Sequence, residues 1–285
     1  MCGIAGLMGP DKQNAIRRMT ACLAHRGPDD EGFYHDPLIS LGHRRLSIID
    51  LAGGQQPIPN EDGTLQLICN GEIYNSPGLR ADLQRQGHVF KTGTDVEVIL
   101  HLYEEYGTAS VERLRGMFAF ALWDAPRRRL VLGRDHLGQK PLFYYHGHNG
   151  FAFASEVKGV LASGLVAPEI DLEGLWHYIS LRFIPDELSL FKGVRKLPAA
   201  TVLTFEEDRT ATRKYWQLSF RDKLQLPEAE IVEQLDGLLR ETVKDHLLSD
   251  VQVGAFLSGG IDSGTVTAMM ADIRGESFPT FSIGV

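Results

Sequence analysis

The sequence is poor in cysteine. Cys2, Cys22 and Cys69 are the only three in 285 residues, and no C-x-x-C pair occurs. A sparse, odd set argues against a disulfide framework and reads as reduced thiols in a cytoplasmic protein. A zinc pattern is also missing. "HGH" at His146 to His148 lies in a Gly/Asn-rich turn between two aromatic runs and is expected to be a solvated hairpin tip, so no metal ligand is assigned. No apolar run approaches the ~20 residues that span a bilayer, which argues against a membrane protein. The opening "MCGIAGLMG" has no basic residue before Lys12, and only Met1 precedes Cys2, so a signal peptide and a lipoprotein anchor are both set aside. Basic excess is absent too: 29 Lys and Arg face 37 Asp and Glu, a formal charge of -8. That disfavours a nucleic-acid partner, but leaves room for small anions held by backbone loops.

What is present is ordinary globular composition, 43% hydrophobic and 23% charged, at a length that suggests about two domains. Residues 1–210 read mainly as β. "LQLIC", "MFAFALWD", "RLVLGRD", "PLFYYH" and "GFAFAS" are short apolar or aromatic runs broken by turn residues. "MFAFALWD" is nearly continuous in hydrophobicity, as expected of a strand covered on both faces. "RRR" at Arg127 to Arg129 is expected to be a charged hairpin turn. Thr94 and Glu97 form a T-x-x-E pattern, which predicts a capped helix over 94–106. After a linker at 211–227 the character changes. Ile231, Leu235, Leu238, Leu239 and Leu247 give an amphipathic helix. A strand "QVGAFL", a Gly-rich turn, a helix from about Ser263 to Ile273 and a strand "FPTFSIG" follow. That is the start of a parallel α/β domain over 228–285, expected to be incomplete because two strands do not make a stable open sheet.

Cys2 raises the question of a nucleophile. Once Met1 is removed, its thiol shares a residue with an α-amine of pKa roughly 7.7–8.0, a general base that needs no histidine. The alternative is a small buried residue at a frayed end. In "CNGEIYN", Asn70 offers a side-chain amide and Gly71 a closely approachable N–H, two donors suited to an oxyanion. The alternative is an N-G hairpin turn. Arg45, immediately before an apolar strand expected at "LSIIDL", could grip a carboxylate or be a solvated strand end. Asp95, in the first turn of the predicted helix, could meet a ligand ammonium or simply complement the helix dipole. The loop "LSGGIDSG" lets N–H groups converge on an anion at a helix N-terminus, although it lacks the P-loop lysine. The plainer reading is a βα turn capped by Asp262 or Ser263.

Taken in order, "MCGIAG", "HRGPD", "GHRRLSIID", "NGEIYN", "GTDVEV", "GMFAFALWD", "RDHLGQKPLFY" and "ASEVK" resemble the class II glutamine amidotransferase domain. With "LSGGIDS", the whole chain is similar to the glutamine-dependent asparagine synthetase family. The resemblance implies an N-terminal-nucleophile fold, α+β, with four αββα layers of antiparallel sheets, followed by the start of an α/β adenylating domain. It implies Cys2 as nucleophile, Asn70 and Gly71 as oxyanion hole, and glutamine held by Arg45, Leu46, Ser47, Ile48, Ile49, Glu72 and Asp95. "HRGPD" (His25 to Asp29) matches without a derivable role. Ser258, Gly259, Gly260, Asp262 and Ser263 would hold ATP or pyrophosphate, with Leu257 and Ile283 flanking the adenosine. Gly264 departs from the loop pattern, which has a hydroxyl residue there. Mg2+ would find its ligands mainly beyond residue 285.

The implied partners are the small molecules glutamine, aspartate and ATP, and the resemblance is compatible with a homodimer. The implied reaction uses ammonia from glutamine to amidate an adenylated aspartate, and these 285 residues alone are expected to retain the glutaminase half. The alternatives are another adenylated carboxylate, of a peptide or a secondary metabolite, and a non-catalytic binder of glutamine or nucleotide.

Overall fold

The computed structural model describes residues 1–185 and 187–284, which divide into two compact units, Met1–Gln217 and the residues from Leu218 on. The first unit runs β1 (Gly3–Met8), α1 (Lys12–Ala21), β2 (Asp30–His35), β3 (Ser40–Arg45), β4 (Ile58–Pro59), β5 (Leu65–Ile73), α2 (Ser76–Arg85) and α3 (Val98–Tyr106). It continues with β6 (Gly116–Asp124), β7 (Arg129–Arg134), β8 (Phe143–Gly147), β9 (Gly150–Ala154), α4 (Val157–Leu161), α5 (Leu172–Leu181), β10 (Val194–Lys196), β11 (Thr201–Glu206) and β12 (Arg209–Lys214). Residues 211–214, read from the sequence as linker, thus complete β12, which pairs with β11 along its whole length.

Two six-stranded antiparallel sheets form, in the orders β10-β8-β9-β1-β3-β2 and β12-β11-β7-β6-β5-β4. Side-chain alternation sorts each strand between two cores. Ile4, Leu41 and Phe153 of one sheet meet Ile68, Ala121, Trp123 and Leu203 of the other. Leu67, Cys69, Phe120 and Leu122 face away, onto Leu83 of α2 and Ile99 and Leu102 of α3. On the far side, Ala5, Leu7 and Ala154 pack on Ile16 and Met19 of α1 and Val160 of α4. The result is helix, sheet, sheet, helix, the four-layer arrangement the resemblance implied. β6 shows why "MFAFALWD" does not alternate: Phe118, Phe120 and Leu122 enter the helix-side core, while Ala119, Ala121 and Trp123 enter the intersheet core. The "RRR" turn joins β6 to β7 with Arg128 in the left-handed region at φ 51°. Arg127 pairs there with Asp124, and Arg129 with Glu206.

Three local expectations are corrected. The helix predicted from Thr94 begins at Val98, with no side-chain cap. Glu97 does not complete a capping box because its carboxylate instead accepts from the N–H groups of Lys91 (2.7 Å) and Thr92 (2.8 Å) and from the Thr92 hydroxyl (2.6 Å). "LSIIDL" is a loop and not a strand. Asn70-Gly71 lies within β5, paired to Ala119 and Phe118 of β6, and is not a hairpin turn.

The second unit holds α6 (Glu228–Asp245), β13 (Ala255–Phe256), α7 (Ile261–Arg274) and β14 (Thr280–Phe281). β13 and β14 are parallel, joined through α7, as the βαβ reading required. Both strands are shorter than the apolar runs suggested, and Leu247 lies past the end of α6. Its small core gathers Val243, Ala255, Met269 and Met270, with Leu247 packed against it. Among the described residues, no helix is long and apolar enough to cross a membrane.

Candidate active site

Cys2 sits at the mouth of β1, in a cavity of about 200 Å³. The cavity is also lined by Arg45, Leu46, Ile48, Ile49, Gln56, Asn70, Gly71, Glu72, Thr94, Asp95 and Lys140. Residues far apart in sequence meet here because the ends of β1 and β3, the middle of β5 and the loop before α3 lie together. Of the glutamine-site residues named from the sequence, Ser47 alone is not in the wall. Its N–H donates to Asp29 Oδ2 at 2.8 Å.

The Cys2 thiol is engaged by the backbone. The Leu46 N–H donates to Sγ at 3.4 Å, and Sγ lies 3.7 Å from the Leu46 carbonyl oxygen. Burial raises the thiol pKa, with the Leu46 hydrogen bond and the nearby charges of the amino terminus, Arg45 and Lys140 opposing it. A thiol so placed needs a base. His43 does not serve: burial lowers its pKa to about 3, and its Nε2 donates to the Cys69 carbonyl at 3.2 Å. Burial also lowers the pKa of the Met1 terminal amine beside it.

Asn70 is 1% exposed, and its buried side-chain nitrogen has no hydrogen-bond partner among the described residues. A buried amide donor left unmade costs about 1–3 kcal/mol, so its orientation calls for a reason, and an acceptor arriving in the cavity supplies one. Gly71 is glycine for a different reason than close approach to a ligand. A Cβ there would stand 2.2 Å from the Met117 carbonyl oxygen and 2.6 Å from Phe118 Cα, on the neighbouring strand.

Arg45 ends β3 and is 4% exposed. Its Nη2 donates to the carbonyls of Asp50 (2.6 Å) and Ile49 (3.1 Å), and its Nη1 to that of Leu51 (3.3 Å). These bonds curl "LSIIDL" into a loop around the guanidinium, which is why the apolar run makes no strand. They use three of its five N–H groups. Asp95 lies ahead of α3, not in its first turn, and its Oδ2 accepts from the Ile73 N–H at 2.6 Å. Burial raises the Asp95 pKa to about 7; the Ile73 bond opposes this and the charge of Glu72 adds to it.

Sequence reasoning missed a supporting set. "HRGPD" fastens the site. Arg26 Nε donates to the Cys2 carbonyl at 2.9 Å, and Glu156, from "ASEVK", accepts from Arg26 Nη1 (3.0 Å) and pairs with His25 (2.8 Å). Gly27 passes so close to β3 that a Cβ would lie 2.4 Å from the Arg44 carbonyl carbon. "RDHLGQK" delivers Lys140. Buried Asp135 accepts from the N–H groups of Leu137 (3.2 Å), Gln139 (2.9 Å) and Lys140 (3.0 Å), and Arg134 Nε donates to the Lys140 carbonyl at 2.8 Å. Burial lowers the Lys140 ammonium pKa, with Glu72 opposing. The matched motifs were the available signal, but which atoms they hold depends on tertiary contacts.

In the second unit, α7 starts at the Gly-rich loop. Gly260 is its N-cap and no side chain caps it, so neither Asp262 nor Ser263 plays the part of the plainer reading. Ser258 and Ser263 hydroxyls bond each other at 2.9 Å, and Gly259 takes φ 82°. Leu257 and Ile283 follow the parallel strands, where the Leu257 N–H donates to the Phe281 carbonyl at 2.9 Å. A Cβ on Gly264 would meet nothing within 4 Å, so space does not exclude a hydroxyl residue there.

An asparagine synthase family model matches residues 234–285. The chain is 38% identical over its whole length to asparagine synthetase (glutamine-hydrolysing) 1 of Bacillus subtilis, spanning 46% of that protein. It is 37% identical over 95% of its length to asparagine synthetase (glutamine-hydrolysing) 3 of the same organism, spanning 45% of it. The chain thus covers about half the length of these relatives. Among solved structures, the glutamine phosphoribosylpyrophosphate amidotransferase of B. subtilis shares the fold, with a TM-score of 0.58 at 16% identity over 99% of this chain and 65% of that one. With a glutamine amidotransferase domain model matching residues 1–216, more than half of its length, the chain belongs to the glutamine amidotransferase domain family.

Proposed function

We propose that the first unit hydrolyses the side-chain amide of glutamine at Cys2, and that in the whole protein the ammonia amidates an adenylated aspartate to give asparagine. The observation that carries the first half is the buried Asn70 side-chain nitrogen, without a hydrogen-bond partner among the described residues, in the cavity that holds the Cys2 thiol. The Cys2 sulfur attacks the amide carbon, and its proton passes to the α-amine freed by loss of Met1. Asn70 and Gly71 N–H groups face the oxyanion. The amine returns the proton to the leaving nitrogen, ammonia departs, and water then cleaves the glutamyl thioester to glutamate and free thiol. The N–H groups of Arg45 not used by the 49–51 carbonyls suit the α-carboxylate of glutamine. Asp95 and Glu72 suit its ammonium.

The second half rests on the family match of residues 234–285 and on the relatives' names. The uncapped N-terminus of α7 and the open backbone at Gly259 and Gly260 fit a phosphate group. ATP, with Mg2+ on its phosphates, would supply the adenylyl group that activates the aspartate β-carboxylate. Ser258 to Ser263 would hold the phosphates, and Leu257 and Ile283 would flank the base.

Ammonia release from glutamine by residues 1–285, combined with intact-mass analysis, tests the proposal. Turnover by protein whose first residue is Cys2 is expected. Equal turnover by protein retaining Met1 would overturn the amine as base, and no turnover by correctly processed, folded protein would overturn the glutaminase reading.

A further inference from the structure

Away from the Cys2 cavity, four side chains converge at one point: Glu61 from the turn before β5, His88 after α2, and His101 and Glu104 on α3. Each turns one ligand atom inward, and the four atoms lie within 4.8 Å of one another. His88 Nδ1 stands 3.4 Å from Glu61 Oε1 and 3.5 Å from Glu104 Oε2. His101 Nδ1 stands 3.5 Å from Glu61 Oε1 and 2.9 Å from Glu104 Oε2. A tetrahedral zinc ion with bonds of about 2.0–2.1 Å sets its ligand atoms about 3.3–3.4 Å apart. These four edges, at 2.9–3.5 Å, lie around that value, and no two of the four atoms are more than 4.8 Å apart, so a modest inward movement closes them on an ion.

The surroundings match a ligand set. Metal-bound histidine usually backs its second nitrogen with a carboxylate, which fixes the tautomer and aims the other nitrogen inward. Both rings do so. His88 Nε2 meets Glu105 Oε1 at 3.0 Å. His101 Nε2 lies 3.7 Å from Glu97 Oε1 and, among the described residues, has no closer partner. The carboxylates are steadied too: Asn60 Nδ2 donates to Glu104 Oε1 at 2.8 Å, and the Val89 N–H to Glu61 Oε1 at 2.9 Å. His101 is fully buried and the His88 side chain only 12% exposed, so the ion would be largely enclosed. The alternative occupant of the gap is a set of ion pairs between imidazolium and carboxylate, which would leave two carboxylates and two rings crowded around an empty centre.

We propose that Glu61, His88, His101 and Glu104 bind one divalent transition-metal ion, zinc by geometry, as a structural site tying the 60–63 turn, the 88–92 segment and α3 together. Two imidazoles and two carboxylates fill a tetrahedron, leaving no open position for catalysis. No sequence pattern announces the site, because the ligands are dispersed over 61–104 with only His101 and Glu104 sharing a helix, so the absence of a zinc pattern did not exclude it.

The test is titration of chelator-treated chain with Co2+ and with Zn2+. One Co2+ per chain with visible absorption bands of tetrahedral intensity, displaced by one Zn2+, is expected. Zn2+ is also expected to raise the thermal midpoint. His88→Ala and Glu61→Gln change partly exposed side chains and are expected to fold, but to bind at least about 100-fold more weakly. Glu105→Gln, behind His88, is expected to cost about 10–100-fold. Absence of saturable binding by the unmodified chain, or equal affinity in folded His88→Ala, would overturn the proposal.

Discussion

Arg26 Nε donates to the carbonyl oxygen of Cys2 at 2.9 Å, across 24 residues of sequence. The guanidinium is in turn held by Glu156. This contact fixes the backbone that carries the proposed nucleophile while leaving the thiol to the cavity. Arg26 is therefore a positioning residue, and misplacing a reacting group by about 1 Å can cost about 10²-fold. Arg26→Ala is expected to lower kcat for glutamine hydrolysis by about that factor and to change KM much less. Arg26→Lys is expected to recover part of the loss. A KM effect equal to the kcat effect in a folded variant would count against positioning.

Gly71 and Gly78 make a matched pair for stability. A Cβ at Gly71 meets backbone of β6, which cannot move aside, whereas a Cβ at Gly78 meets nothing within 4 Å. Gly71→Ala is expected to destabilise the first unit by about 1–3 kcal/mol or more. Gly78→Ala, on α2, is expected to stabilise it by about 0.5–1 kcal/mol. Thermal and denaturant unfolding of both variants checks the signs. A neutral Gly71→Ala would mean that β5 and β6 are not in this register.

Asp95 gives a pH dependence with a definite sign. Its folded pKa is raised to about 7 by burial, against an ordinary value of about 3.9. The unfolded chain releases this proton first as pH rises, so the contribution of Asp95 is most favourable below about pH 4. It is lost progressively as pH rises towards 7, and the full penalty applies above that. Asp95→Asn removes the titration. Between pH 5 and 8, the wild type is expected to lose about 2–3 kcal/mol of stability relative to the variant. In the same range, glutamine KM of the wild type should rise as pH falls below about 7, when the carboxylate proposed to meet the ammonium is protonated. A stability difference independent of pH would contradict the assignment.

Much of this was legible beforehand, for identifiable reasons. β6 announced burial on both faces because its run is apolar from Met117 to Trp123, and the αββα layering was implied by the family resemblance that the motifs carry. Local signals misled where a side chain answers to tertiary partners. Thr94 and Glu97 have capping-box spacing, but Glu97 bonds the 91–92 backbone. "LSIIDL" has strand composition, but the Arg45 guanidinium draws its carbonyls inward. Asn70-Gly71 is a turn dipeptide by propensity, yet nine paired residues of β5 carry it straight through. Arg26, Asp135 and Lys140 lay within matched motifs, but only the folded chain shows which atoms they hold.

The central claim is that Cys2 and Asn70 form one glutaminase site, and mass spectrometry of acid-quenched protein with glutamine tests it most directly. In wild type, a glutamyl thioester should map to Cys2. Asn70→Ala should lower steady-state ammonia release by about 10²–10³, the usual loss for one oxyanion donor, and Cys2→Ala should abolish both thioester and release. Undiminished ammonia release by folded Cys2→Ala, or a loss below about tenfold in Asn70→Ala, would contradict it.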